Sequence, residues 1–435
     1  MAEVKAFKAL RFTEKSGDIS KNVCPPYDII SEEERLDYIK TSENNIIRLE
    51  KPVGDNAYEN AKKLYLEMSD KGIIDCDDKK GIYVYEEEFD ALGNRYKIKG
   101  IFVRVRLEEF DKKVVLPHEE TLSKAKQDRF DLMCSTFCNF SPIYCMYTDE
   151  KREISSLVDV MSDGKAEIEF EAKDGVVQRI WKCEDTSVTD KVEELFKEKQ
   201  LFIADGHHRY ETGLRFRNHL MDKGVIVDKD HDANFIMMFL IDMENSGLVV
   251  FPTHRMVTGL ENFDLDKALC GMKEYFDVTG IDEADIDAKL SENADNKANV
   301  LVAPDGKFYL SVMKKDAQSK LSEMNPGKSE SYKNLDVTVL HSLILENVLG
   351  IDKENMAQQI NLKYTRDKYE AIEAVRSGKA NCSFIINATK VEEIKAVATA
   401  NEKMPQKSTY FYPKLITGLV MNRLNETDIL RDCKN

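Results

Sequence analysis

Between residues 101 and 255, short apolar runs take turns with segments of helical period, and nothing else in this 435-residue chain narrows its fold as much. The runs SPIYCMY, VVQRIWKC, LFIAD and FIMMFLID read as strands, and the stretches 123–135, 190–199 and 209–222 read as helices. Strands interleaved with helices must cover each other in layers, which predicts an α+β (mixed α/β) domain around a mixed sheet. Apolar residues at 42% and charged residues at 33% are an ordinary globular balance, sufficient to fill such cores.

The flanking segments continue the mixture. Near the start, PPYDII precedes SEEERLDYIK, where Ser31 and Glu34 have the spacing of a capping box. A helix follows over about residues 55–70, and GIYVYEEEF and YKIKGIFVRVRL read as a hairpin turning around Leu92, Gly93 and Asn94. The last third has helices near 265–275, 337–347, 367–377 and 391–400, with strands near 299–312 and 382–387. Length suggests two or three domains, drawn here as 1–100, 101–255 and 256–435. With no repeat, low-complexity tract or Gly/Ser-rich linker, the expectation is of domains packed together.

Composition excludes several classes. Lys and Arg total 63 against 79 for Asp and Glu, a formal net charge of -16, and no long basic stripe interrupts it. Nucleic acid is therefore an unfavourable partner, whereas one positive pocket for a small anion is compatible with that field. No stretch approaches the roughly 18 to 20 uninterrupted apolar residues that cross a bilayer, and MAEVKAFKALRF lacks the apolar core of a signal peptide. The expected location is the cytoplasm, without membrane attachment. Nine scattered cysteines fit reduced thiols. Cys134, Cys138 and Cys145 lie close together but include no CxxC pair, so a metal cluster is disfavoured.

The strongest chemical signal is LFIADGHHRYETGLRFR, in which a strand runs into Asp205 and Gly206 and a helix opens at His207, His208 and Arg209. A helix start offers unpaired N–H groups and partial positive charge, and Gly206 lets a ligand approach the backbone. Arg209 can grip phosphate oxygens in pairs. Alternatively, Asp205 only N-caps the helix while the basic side chains face solvent. Cations in a first turn oppose the helix dipole, which argues for a bound anion.

A second polar constellation is VVLPHEETLSKAKQDRFDL, where His118, Glu119 and Glu120 follow a strand end. A carboxylate there can accept a hydroxyl proton, or simply favour a helix entry. Lys124, Lys126, Asp128 and Arg129 read as a solvated face, with Asp128 and Arg129 held as further candidates. Two more segments are unusually polar for their surroundings: FPTHR, with Thr253, His254 and Arg255, and MPQKSTYFYPK, with Lys407, Ser408, Thr409 and Lys414. Counting the DGHHR turn with these segments, four of the seven histidines, His118, His207, His208 and His254, fall within them. Each segment could line an anion pocket or form an ordinary loop.

The blocks CPPYDIIS, NNIIRLEKP, LPHEETL, KQDRFDL, FIADGHHRYETGLRFR, GLVVFPTHR and MPQKSTYFYPKLITGLVMNRL resemble, almost end to end, the bacterial and archaeal domain-of-unknown-function family ten-fifteen. The PHE and DGHHR blocks are also similar to the ParB and sulfiredoxin superfamily, which seats nucleotide phosphates on a G-x-x-R helix start. That resemblance implies a ParB/sulfiredoxin-like central domain with N- and C-terminal α/β segments packed on it. Free-serine kinases of the superfamily use a glutamate of the first block as base. Carried over, this implies Glu119 as base with Glu120 as its rival beside His118, and Asp205, Gly206, His207, His208 and Arg209 as the phosphate site.

The expected activity is phosphoryl transfer from ATP, ADP or pyrophosphate, with Mg²⁺, to a hydroxyl of a free amino acid such as L-serine. Such chemistry asks mainly for positioning and charge neutralisation. Walker and protein-kinase motifs are missing from the sequence. The alternative is a nucleotide-binding regulatory switch of the ParB CTP-binding type. A sulfiredoxin-like role is disfavoured because no cysteine lies in the turn. The sequence does not define the acceptor or the oligomeric state.

Overall fold

The computed structural model describes residues 1–119, 123–226 and 228–424, with side chains in the helix after residue 122 described from Lys126 onward. Two compact units emerge. The first comprises Met1–Pro117, Thr121–Val249 and Pro413–Asn435, and the second His118–Glu120 and Val250–Tyr412. Residues 100 and 255, where lines were drawn from the sequence, lie within the strands Asn94–Arg106 and His254–Val257.

In the first unit a nine-stranded mixed sheet runs in the order Val115–Leu116, Leu201–Asp205, Ile143–Tyr147, Phe235–Asp242, Asn94–Arg106, Ile82–Ala91, Val177–Cys183 and Ile168–Glu171, with Val4–Lys5 also paired to Asn94–Arg106. Leu201–Asp205 pairs parallel to Val115–Leu116, and Phe235–Asp242 parallel to Ile143–Tyr147. The other pairings in this sheet are antiparallel. The mixed α/β class expected from the alternation is the observed one. Leu92 and Gly93 both take positive φ, as a two-residue turn matched to strand twist requires. Ser31 and Glu34 form the reciprocal capping box.

One core of this unit gathers Val84, Ile101, Val103, Ile143, Ile203 and Leu240 from the sheet and Tyr210 and Leu214 from the helix His207–Asp222. A second core joins Tyr65, Phe130, Phe137 and Phe216. The helix expected from Asp190 begins at Thr186, because Asp185 caps it by accepting from the Ser187 N–H. The helix Glu153–Met161 and the strand Ile168–Glu171 were not read from sequence.

The second unit holds a six-stranded antiparallel sheet in the order Phe276–Ile281, Phe308–Met313, Ala298–Val302, Cys382–Ile386, His254–Val257 and Leu362–Thr365. Alternating side chains feed two cores: Leu301 and Phe384 enter one, and Val300, Val302 and Ile385 the other. The segment FPTHR is thus no simple loop, since its His254 and Arg255 open an interior strand.

Candidate functional site

In the first unit, the strand Leu201–Asp205 passes through Gly206, at φ 92°, into the 16-residue helix His207–Asp222. Asp205 does not cap this helix, because Gly206 holds the N-cap position and no side chain bonds the first turn. Arg209 instead donates through Nη2 to Asp205 Oδ2 at 2.5 Å, and its Nη1 donates to the Pro142 carbonyl. Lys414 donates to the other oxygen of Asp205.

All three charged side chains are largely buried. Burial opposes ionisation of Asp205, yet Lys414 and then Arg209 hold its carboxyl well below the usual range. The first-turn cation therefore has an anion supplied by the chain itself, which removes the argument that charge in this turn demands an external one. Asp205, acidic and twice engaged, orients two cations and is a poor phosphate ligand itself. His207 is buried and its field also favours the Asp205 carboxylate, whereas His208 is half-buried.

Gly206 is required twice. Its φ is one that L side chains rarely adopt, and a Cβ there would sit 3.0 Å from Arg209 Nε. The guanidinium thus lies directly against the glycine, with the helix start beside it.

A buried charge cluster lies in the same unit. Glu50 accepts from Ser141 Oγ at 2.6 Å and pairs with Arg129 at 3.3 Å, while Ser141 also bonds Thr417 at 2.8 Å. Burial raises the Glu50 pKa against the opposing pull of Arg129. Arg129 also donates to Asp128 at 2.7 Å and stacks 3.9 Å over the Tyr27 ring. It is a buried structural cation and not part of a solvated face. Glu50, Arg129, Ser141 and Arg209 line one cavity of about 40 Å³.

In the second unit, His118 and Glu119 lie along the chain near Met404. Met404 N–H donates to the His118 carbonyl at 2.7 Å, His118 Nε2 bonds Thr409 Oγ1 at 3.0 Å, and Lys407 N–H donates to Glu119 Oε1 at 2.9 Å. Arg255 is fully buried. It donates to the Thr253 carbonyl, to the Lys407 carbonyl at 3.1 Å and to His341 Nε2 at 3.1 Å. Burial brings its pKa down to about 10, against the opposing influence of Tyr364 and Glu119.

Thus His118, Glu119, Thr253, Arg255, Lys407 and Thr409, from three separate segments, come together. His254 does not join them: its Nδ1 accepts from Ile386 N–H at 3.4 Å, and burial, then Arg255, push it to about 4. Ser408 closes a local turn by donating to the Pro405 carbonyl at 2.5 Å. Glu120 lies outside the described residues. Sequence reading missed Glu50, Ser141, Thr417, Tyr27, Tyr364 and His341. The first, third and fourth stand in blocks that carry the family resemblance, but only the fold shows their pairing. Among the described residues no group of three or more His, Cys, Asp or Glu could hold a metal ion.

Fold and turn define a mixed α/β protein with a buried cationic turn at a helix start. The family model described as "Protein of unknown function (DUF1015)" matches residues 4–338, and the chain belongs to that family. No curated protein matches it. Among solved structures it is similar to a free serine kinase in complex with AMP, at 16% identity and a TM-score of 0.35, covering 72% of this chain and 86% of that one. A conserved hypothetical protein from Pyrococcus furiosus has 15% identity and a TM-score of 0.35, covering 75% and 95%. SbnI with C-terminal truncation from Staphylococcus aureus has 10% identity and a TM-score of 0.36, covering 77% and 94%. Likenesses this weak bear on no residue's role.

Proposed function

We propose that the chain is a phosphotransferase acting on a free amino acid such as L-serine, with ATP, ADP or pyrophosphate as donor. The observation that carries this reading is the turn: Arg209 and Lys414 are held by one carboxylate beside Gly206 at the start of a helix, whose first N–H groups and adjacent cations would receive phosphate oxygens. The family resemblance of the DGHHR and PHE blocks supports it.

In this reading the acceptor hydroxyl oxygen forms the new P–O bond, the bond from phosphorus to the donor's leaving oxygen breaks, and the hydroxyl proton passes to Glu119. Lys407 N–H engages Oε1 of that carboxylate, which fixes its orientation and leaves Oε2 to receive the proton. Arg209 would stabilise charge on the transferring group. Mg²⁺ would accompany the donor phosphates and supply charge neutralisation there.

The test is phosphorus NMR of the full chain with Mg²⁺, each donor and a pool of amino acids and polyols, run beside Glu119→Gln and Arg209→Ala. A phosphate monoester that both substitutions abolish supports the reading. Binding without product, lost only in Arg209→Ala, would replace it with the nucleotide-binding switch of the ParB CTP-binding type. That second reading draws on the Arg209–Asp205 pair, whose partner a nucleotide phosphate could displace.

A further inference from the structure

Within the second unit, a cavity of about 370 Å³ lies against the π-helical run Leu340–Glu346. Its size is that of a small-molecule site, and wide turns of this kind recur at functional positions. Two hydroxyl groups in its lining are unused. Thr338 Oγ1 and Tyr364 Oη are buried and have no hydrogen-bond partner. Thr338 is only 1% exposed and sits in a helix, yet it does not bond back to a carbonyl of the preceding turn. Native proteins rarely leave such groups unsatisfied without a ligand, water or functional reason.

Two more groups point the same way. Ser342 Oγ accepts from Asn325 Nδ2 at 3.0 Å, which leaves its own proton to give. His341 Nε2 accepts from Arg255, so the neutral ring carries its proton on Nδ1. Burial, then Arg255, keeps that ring neutral. The charged lining comprises Lys328, Lys353 and Lys403 against Glu346 alone, while Met356 and Met404 supply apolar surface.

We propose that this cavity binds a small oxyanionic metabolite, a carboxylate or a phosphate monoester, whose oxygens accept from Thr338, Tyr364, Ser342 and His341 beside the lysines. The proposal is independent of the phosphotransferase reading. Its site is nevertheless connected to Glu119 by a chain of bonds: His341 accepts from Arg255, Arg255 donates to the Lys407 carbonyl, and Lys407 N–H donates to Glu119.

The full chain, labelled with ¹³C at methionine methyls, provides the test, because Met356 and Met404 report on the cavity. Inorganic phosphate, glycerol 3-phosphate, citrate and L-glutamate are titrated separately, and the probe that responds tells phosphate from carboxylate chemistry. At least one probe moves both methyl signals saturably, and Lys353→Ala and Tyr364→Phe each weaken it roughly tenfold, the loss expected for a hydrogen bond to a charged group. Both variants change little that holds the fold, since Lys353 is exposed and the Tyr364 hydroxyl is unpaired. Arg209→Ala leaves the response intact. The proposal is overturned if no probe at millimolar concentration moves either methyl, if both cavity variants bind as the native chain does, or if Arg209→Ala removes the response.

Discussion

Arg209 donates to the carboxylate of Asp205, four residues earlier, at 2.5 Å across the opening of a helix. Lys414 occupies the other oxygen, so one buried carboxylate balances two cations. Removing it by Asp205→Asn strands both. Breaking a buried pair by deleting one partner costs about 3 kcal/mol or more, and urea unfolding at neutral pH should register that loss. Added inorganic phosphate should then raise the variant's midpoint by more than it raises the native chain's. Equal stability of the two proteins would mean that the pair orders nothing.

Gly206 tests the close approach separately from the backbone. Gly206→Ala must adopt φ near 92° and place Cβ 3.0 Å from Arg209 Nε, a combined strain on the order of 1–3 kcal/mol. Gly206→Asn tolerates the left-handed backbone better but pushes the guanidinium equally. Both variants should lose affinity for the donor in a titration, with Asn the more stable of the two. Native affinity in Gly206→Asn would show that contact between the glycine and Arg209 is dispensable.

How much of this was legible follows from range. The turn was readable because its strand, glycine and basic first turn are contiguous, and the capping box of Ser31 and Glu34 likewise needs only a four-residue window. Lys414, Lys407 and Thr409 stood out as polar residues in an apolar segment, but their partners Asp205, Glu119 and His118 lie hundreds of residues away and no local pattern names them. The strand at His254–Val257 was hidden because its polar residues are paired inside the unit and so mimic a loop in sequence. The helix Glu153–Met161 is short and enters from Arg152 in the left-handed region, without a capping side chain to announce it. The cavity beside His341 had no signature, since unsatisfied hydroxyls are a property of packing.

Glu87 carries a prediction about pH. It is fully buried, and burial raises its pKa from 4.5 to about 8. Its neighbours agree with a neutral acid. Tyr85 Oη lies 2.8 Å from Glu87 Oε1 and also bonds Gln178 Oε1, yet a tyrosine has one proton to give. If the Glu87 carboxyl keeps its proton, it donates to Tyr85 and Tyr85 donates to Gln178, so both contacts are satisfied. A carboxyl whose folded pKa lies above its unfolded value stabilises fully below the unfolded pKa. That contribution is lost as pH rises through the folded one. Stability should therefore fall between about pH 4.5 and about pH 8, by an amount on the order of 3–5 kcal/mol at most. Glu87→Gln cannot ionise and should flatten this slope when urea midpoints are compared at pH 5 and pH 8. An unchanged slope in the variant would mean that Glu87 is already ionised at neutral pH, and that the Tyr85 contacts are held by a different proton arrangement.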